Sequence, residues 1–126
     1  MLGKRNAVAT LAVSDIDRAR EFYTGTLGLE EVDREGDDYF TLRSGDGNLN
    51  VYRSDFAGTN QATAVTWEVD DIEREVDELK ARGIMFEHYD MEGLEERGDL
   101  YVDEGAGYKV AWFKDPDGNI LNLVGD

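Results

Sequence analysis

The feature that most constrains this chain is an internal repeat. Val13-Ser-Asp-Ile-Asp-Arg18 returns 56 residues later as Val69-Asp-Asp-Ile-Glu-Arg74. Each copy follows an alternating stretch and opens a helical one. A second echo relates Gly47-Asn-Leu-Asn-Val51 to Gly118-Asn-Ile-Leu-Asn-Leu123. Each half therefore reads as a strand, a helix, then further strands. A half of about 60 residues buries too little surface to be stable alone, so the two are expected to share one fold. The polar stretch Ser54–Thr63 is the join. This gives a single domain over 1–126, with module one at about 7–54 and module two at about 63–124.

Local signals place the helices. Ser14 is the expected cap of the first, with Asp15 and Asp17 in its first turn. Ile16, Ala19 and Tyr23, with Phe22 beside them, form an apolar stripe, and Gly28 is the expected stop. In the second half Asp70 is the expected cap, with Glu73 three residues on. Ile72, Val76 and Leu79 form the stripe, and Gly83 ends it after Lys80 and Arg82.

The strands alternate. In Ala7–Val13, Leu11 and Val13 share a face, opposite Val8, Thr10 and Ala12. In Ala64–Val69, Val65, Trp67 and Val69 oppose Ala64, Thr66 and Glu68. Asp38–Arg43 and Asn48–Arg53 flank the turn Ser44-Gly-Asp-Gly47. Lys109–Lys114 and Asn119–Val124 flank Asp115-Pro-Asp-Gly118. The pattern predicts a sheet with one apolar face, covered by the two helices, and one mixed face carrying Thr10, Asn50, Tyr52, Thr66, Glu68 and Asn122. A mixed face meets water or, if the sheet curls, lines a cavity.

Composition narrows the function. Hydrophobic residues make up 40% of the chain, enough for a packed core. The net charge of −16 opposes nucleic-acid binding and docking on an anionic membrane. The acids are spread along the whole chain, and 4 Lys against 9 Arg resembles proteins from salty environments. With no Cys there is no thiolate nucleophile or thiolate metal site, and a single His leaves no multi-histidine site. No apolar run reaches membrane length and no signal peptide opens the chain, so a cytoplasmic protein is expected.

Two pieces, Val13-Ser-Asp-Ile-Asp-Arg-Ala-Arg-Glu-Phe-Tyr23 with Leu27-Gly-Leu29, and Trp112-Phe-Lys-Asp-Pro-Asp-Gly-Asn-Ile-Leu121, carry a resemblance. Together with the helix opening at Val69–Arg74, they make the chain resemble the glyoxalase, bleomycin-resistance and extradiol-dioxygenase superfamily, the vicinal oxygen chelate proteins. The likeness runs from about Ala7 to Val124. It implies an α+β fold of two βαβββ modules forming a curved mixed sheet around a cavity, and often a homodimer. Its enzymes hold one divalent metal from four strand positions. Carried over by the motifs, these are Val8, Asn50, Ala64 and Asn122. Two have no donor atom, and the others are neutral amides, weak ligands beside carboxylate or imidazole. The neighbouring registers, through Leu49, Val65 and Leu121, are no better.

No metal and no other cofactor is therefore expected. The expectation is a metal-independent small-molecule-binding protein, acting in drug or metabolite sequestration. Its ligand-binding candidates are Asn50, Tyr52, Thr66, Glu68, Trp112 and Asn122. Asn50 and Asn122 each present a donor and an acceptor, and Tyr52 a flat ring with a polar tip. The alternatives are a lyase, isomerase or dioxygenase with non-standard or misplaced metal ligands, and an accessory domain acting by protein contact. For an enzyme, the catalytic candidates are Glu68, as base or counter-charge, and His88, the one side chain titrating near neutrality. His88 falls in Ile84–Asp90, read as a strand or surface segment. Trp67 shares parity with core residues. Met91–Gly107 is read as an acidic loop in which Leu94 and Tyr101 are candidate lid residues.

Overall fold

The computed structural model describes residues 1–34 and 36–126. The chain divides into two compact units: Met1–Asn60 with Pro116–Asn119, and Gln61–Asp115 with Ile120–Asp126.

The first unit is one βαβββ module. Strand β1 (Ala9–Val13) runs parallel to β4 (Gly47–Arg53). Antiparallel β3 (Tyr39–Ser44) and β2 (Glu30–Arg34) complete the order β1-β4-β3-β2. Between β1 and β2 lies α1 (Ile16–Arg20), which widens into a π-helical turn over Glu21–Thr26. Leu27 N–H reaches back five residues to the Phe22 carbonyl at 3.0 Å. Ile16, Ala19 and Tyr23 are buried, as the stripe predicts. Buried with them are Leu11, Phe40, Leu42, Leu49 and Val51 of one sheet face. The Arg20 guanidinium lies 5.0 Å over the Phe40 ring and bonds Glu31 at 3.0 Å.

Asp117 and Asn119 complete this unit. Ser14 donates to Asp117 through its backbone N–H at 3.1 Å and its hydroxyl at 2.5 Å. Arg18 pairs with the same carboxylate at 3.1 Å. Asn119 donates to the Ala12 carbonyl at 2.8 Å. Gly58 is glycine for two reasons: its φ is +75°, and a Cβ there would lie 2.1 Å from the Asp117 carbonyl oxygen.

The second unit repeats the module with one added edge strand, β6. Strand β5 (Thr63–Val69) runs parallel to β9 (Ile120–Gly125), followed by β8 (Tyr108–Lys114), β7 (Leu100–Asp103) and β6 (Glu95–Arg97). Helix α2 (Ile72–Ala81) buries Ile72 and Val76. Phe113 is the hub of this core, stacked on Trp67 at 6.4 Å and edge-on to Phe86 at 5.6 Å. Trp67 is thus half-buried against the core ring of Phe113, on the face its parity predicts.

The structure corrects several expectations. Ser14 does not cap α1. Asp15 does, accepting from Arg18 N–H at 3.1 Å, because Asp117 takes the Ser14 hydroxyl. Asp71, not Asp70, caps α2, accepting from Arg74 N–H at 3.2 Å. Ile84–Asp90 is no strand: it meets β8 at one bridge, Glu87 to Trp112. The stretch Met91–Gly107 is not one loop, since it contains β6 and β7. Tyr101 is buried in β7 and is no lid residue.

Candidate functional site

Each module packs its helix on one sheet face, and the opposite face carries most of the candidate residues. In the first unit that face carries two rows. One is Thr10, Asn50 and Thr41, across β1, β4 and β3. The next is Ala12, Tyr52 and Tyr39. The Thr41 hydroxyl donates to the Asn50 side-chain carbonyl at 3.0 Å, so this row closes on itself. Tyr52 stands exposed beside it.

In the second unit the equivalent row is Thr66, Asn122 and Trp112, across β5, β9 and β8. Asn122 is only 8% exposed, and its side-chain oxygen has no hydrogen-bond partner. A buried acceptor left unpaired costs about 1–3 kcal/mol. Trp112 donates its indole N–H to the Thr63 hydroxyl at 3.2 Å. The edges of Tyr89 and Tyr101 pack on it at 5.7 and 5.3 Å.

Beside this row is a hollow of about 300 Å³, walled by Gln61, Ala62, Thr63, Tyr89, Met91, Trp112 and Ile120. Ile120 and Trp112 flank Asn122 on the same sheet face. Among the described residues the Tyr89 hydroxyl is also a buried polar atom without a hydrogen-bond partner, and burial pushes its phenol pKa up. Its backbone is well held, because the Tyr101 hydroxyl donates to the Tyr89 carbonyl at 2.8 Å and accepts from the Tyr89 N–H.

The structure thus gathers Thr66, Trp112 and Asn122 into one row. Glu68, two residues along β5, is exposed and lines a separate polar concavity with Val69, Asp70, Asp71 and Arg74. Asn50 and Tyr52 lie on the first unit's face. His88 sits at the surface among charges: its ring nitrogens meet Glu96 and, at 3.0 Å, Asp99. Lys80 pairs with Asp99 at 2.7 Å. The Glu96 and Asp99 hydrogen bonds raise the His88 pKa above 6.5. Sequence reasoning missed Tyr39 and Thr41 on the first face, and Tyr89 and Met91 around the hollow. Alternation could have found the first pair. The second pair lies in an irregular segment where periodicity gives no face.

The four positions that would hold a metal do not fit one. Val8 precedes β1 and is 41% exposed. Ala64 is the extra residue of a bulge between Thr63 and Val65. Both are hydrocarbon. The Asn50 oxygen is engaged by Thr41, which leaves the Asn122 amide as the sole free donor of the four. Among the described residues no three His, Cys, Asp or Glu side chains are grouped to hold a metal ion.

The family model described as Glyoxalase/Bleomycin resistance protein/Dioxygenase superfamily matches residues 5–123. No curated protein matches the chain. Among solved structures, a glyoxalase family protein from Enterococcus faecalis is 24% identical, with a TM-score of 0.76 over 98% of this chain and 99% of that one. A lactoylglutathione lyase from Agrobacterium tumefaciens is 20% identical, with a TM-score of 0.67 over 97% and 93%. A genomically encoded fosfomycin resistance protein from Listeria monocytogenes is 14% identical, with a TM-score of 0.73 over 98% and 93%. At these identities the likeness carries the α+β fold alone.

Proposed function

The chain belongs to the glyoxalase/bleomycin resistance protein/dioxygenase superfamily, and from that premise we propose that it binds a small molecule without a metal. The observation that carries this reading is the contrast within the four inherited positions. Val8 and Ala64 offer no donor and Asn50 is engaged by a neighbour, whereas Asn122 keeps a buried oxygen unpaired beside an aromatic hollow. A catalytic metal needs about three good protein ligands. An amide beside aromatic walls suits a different task, orienting an organic ligand.

Thr66, Trp112 and Asn122 are the core of the proposed site, with Tyr89 and Met91 added by the structure. Asn50, Tyr52 and Glu68 remain ligand contacts in the proposal from their mixed-face positions. Sequestration of a drug or metabolite is the role that a metal-free binding site serves. A cytoplasmic homodimer belongs to the same proposal, on the family's habit. No helix among the described residues is long and apolar enough to cross a membrane.

Calorimetric titration of the purified protein with Mn²⁺, Ni²⁺ and Zn²⁺ tests the reading. The expected result is no saturable one-to-one heat with any of them. Stoichiometric binding that Asn50→Leu or Asn122→Leu abolishes would return the metal-enzyme reading to first place.

A further inference from the structure

We propose that His88 is a positioning residue for the hollow: as an imidazolium it clasps the segment carrying Tyr89 and Met91 to the β6–β7 hairpin, making that wall proton-dependent. The proposal rests on the hollow being the binding site, but the clasp itself is open to a ligand-free test.

One ring nitrogen of His88 meets the Glu96 carboxylate, on β6, and the other lies 3.0 Å from the Asp99 carboxylate, in the turn before β7. A neutral imidazole has a single N–H, so only the doubly protonated ring donates to both. On deprotonation one nitrogen turns a lone pair toward a carboxylate, and an attraction becomes a repulsion.

Other ties hold the segment too, among them the Phe86–Phe113 and Tyr89–Trp112 ring contacts. Glu87 N–H bonds the Trp112 carbonyl at 2.7 Å, and the Tyr89 backbone bonds the Tyr101 hydroxyl. Tyr89 follows His88 directly, and Met91 is three residues on; both wall the hollow. Tyr101 joins the two sides, since its ring lies 6.4 Å from His88 and 5.3 Å from Trp112. A change in the His88 clasp therefore has a short mechanical route to the wall.

The surrounding charges favour the closed form. Lys80, at the end of α2, pairs with Asp99 and holds its carboxyl below the usual range. Glu87, beside His88, is occupied by Lys114 at 3.3 Å. The carboxylates meeting the ring are Glu96 and Asp99, and Lys80 reaches it through Asp99. The ring is part-exposed, so the switch is a modest one.

The chain has one His, so its imidazole NMR signals are unambiguous. The experiment follows them, with the Tyr89 amide and Trp112 indole N–H signals, from about pH 5 to about pH 9. The expected result is one shared midpoint above about 6.5, with Tyr89 amide exchange, corrected for its intrinsic pH dependence, rising about threefold or more beyond it. In Glu96→Gln the midpoint falls, and in His88→Gln the Tyr89 and Trp112 signals lose their titration while the protein stays folded. A His88 midpoint at or below the ordinary value, or Tyr89 and Trp112 signals that ignore it, overturns the clasp. The same spectra with 2-naphthalenemethanol, neutral across this range, read the hollow. Saturable shifts of Trp112, with affinity falling about threefold above the midpoint, extend the clasp to binding. Shifts of equal affinity at both ends overturn that coupling. No shift at either pH counts against the hollow as a binding site, and the Tyr89 signal still decides the clasp.

Discussion

The two modules share one plan and differ in how completely their polar groups are paired. In the first unit the amide of Asn50 is engaged by Thr41, and Arg20 and Asp117 are each bonded to several groups. In the second, the Asn122 oxygen and the Tyr89 hydroxyl are buried without partners next to an aromatic hollow. Asn50 and Asn122 are equivalent in the repeat, so the fold does not require either pattern. A paired row adds rigidity, and an unpaired one keeps recognition capacity for a molecule from outside. The proposed binding site rests on this difference.

The largest effects should be equal in both units, because both cores are complete. Phe40→Ala and Phe113→Ala each remove a buried ring, and each should cost about 3–5 kcal/mol in urea denaturation. A much smaller loss in the second unit would mean that its core is loosely packed. Next is the Asp117 anchor. Asp117→Ala strands the Ser14 hydroxyl and N–H together with Arg18, and should cost about 2–3 kcal/mol, against about 1 for Ser14→Ala.

The paired amides give the sharpest test. Asn50→Leu strands the Thr41 hydroxyl and should destabilise by about 1 kcal/mol. Asn122→Leu removes an unpaired buried acceptor, and should be neutral or stabilise by up to about 1 kcal/mol while weakening ligand binding. Equal costs at the two sites would erase the distinction between the units.

The smallest effect is pH dependence, to which Glu31 of the first unit, held down by Arg34 and Arg20 against the opposing effect of burial, and charges of the second unit contribute. His88 has a folded pKa raised above 6.5 by Glu96 and Asp99. Its contribution is therefore fully present below 6.5 and lost as pH rises through the folded value. Asp99, held down by Lys80, and Glu73, held down by Lys109, act in the opposite sense. Their contributions are present above 3.8 and 4.5 and lost as pH falls through their folded values. Melting temperature should thus decline slightly as pH rises through the folded His88 value and again in acid, and His88→Gln should flatten chiefly the alkaline side, with a smaller change in acid through Asp99.

The sequence made the α+β fold legible through its repeat, its two helix stripes and its strand parities. The stripes Ile16–Ala19–Tyr23 and Ile72–Val76 and the core parity of Trp67 are all present. The helix caps were misplaced by one residue because Ser14, Asp15, Asp70 and Asp71 all have capping chemistry. Only the long-range partner Asp117 decides what Ser14 does. The hollow was half legible. Trp112 and Asn122 follow from strand alternation, whereas Tyr89 and Met91 sit in a segment fixed by side chains distant in sequence. The β6–β7 hairpin stayed hidden because its strands are short and acidic, with little apolar alternation to reveal them.

Native mass spectrometry of the purified protein, with elemental analysis of the same sample, tests the central claim most directly. The account predicts no stoichiometric metal, and an organic adduct wherever a co-purified ligand is retained, which Asn122→Leu should reduce. One divalent ion per chain, lost to a chelator together with ligand binding, would contradict it.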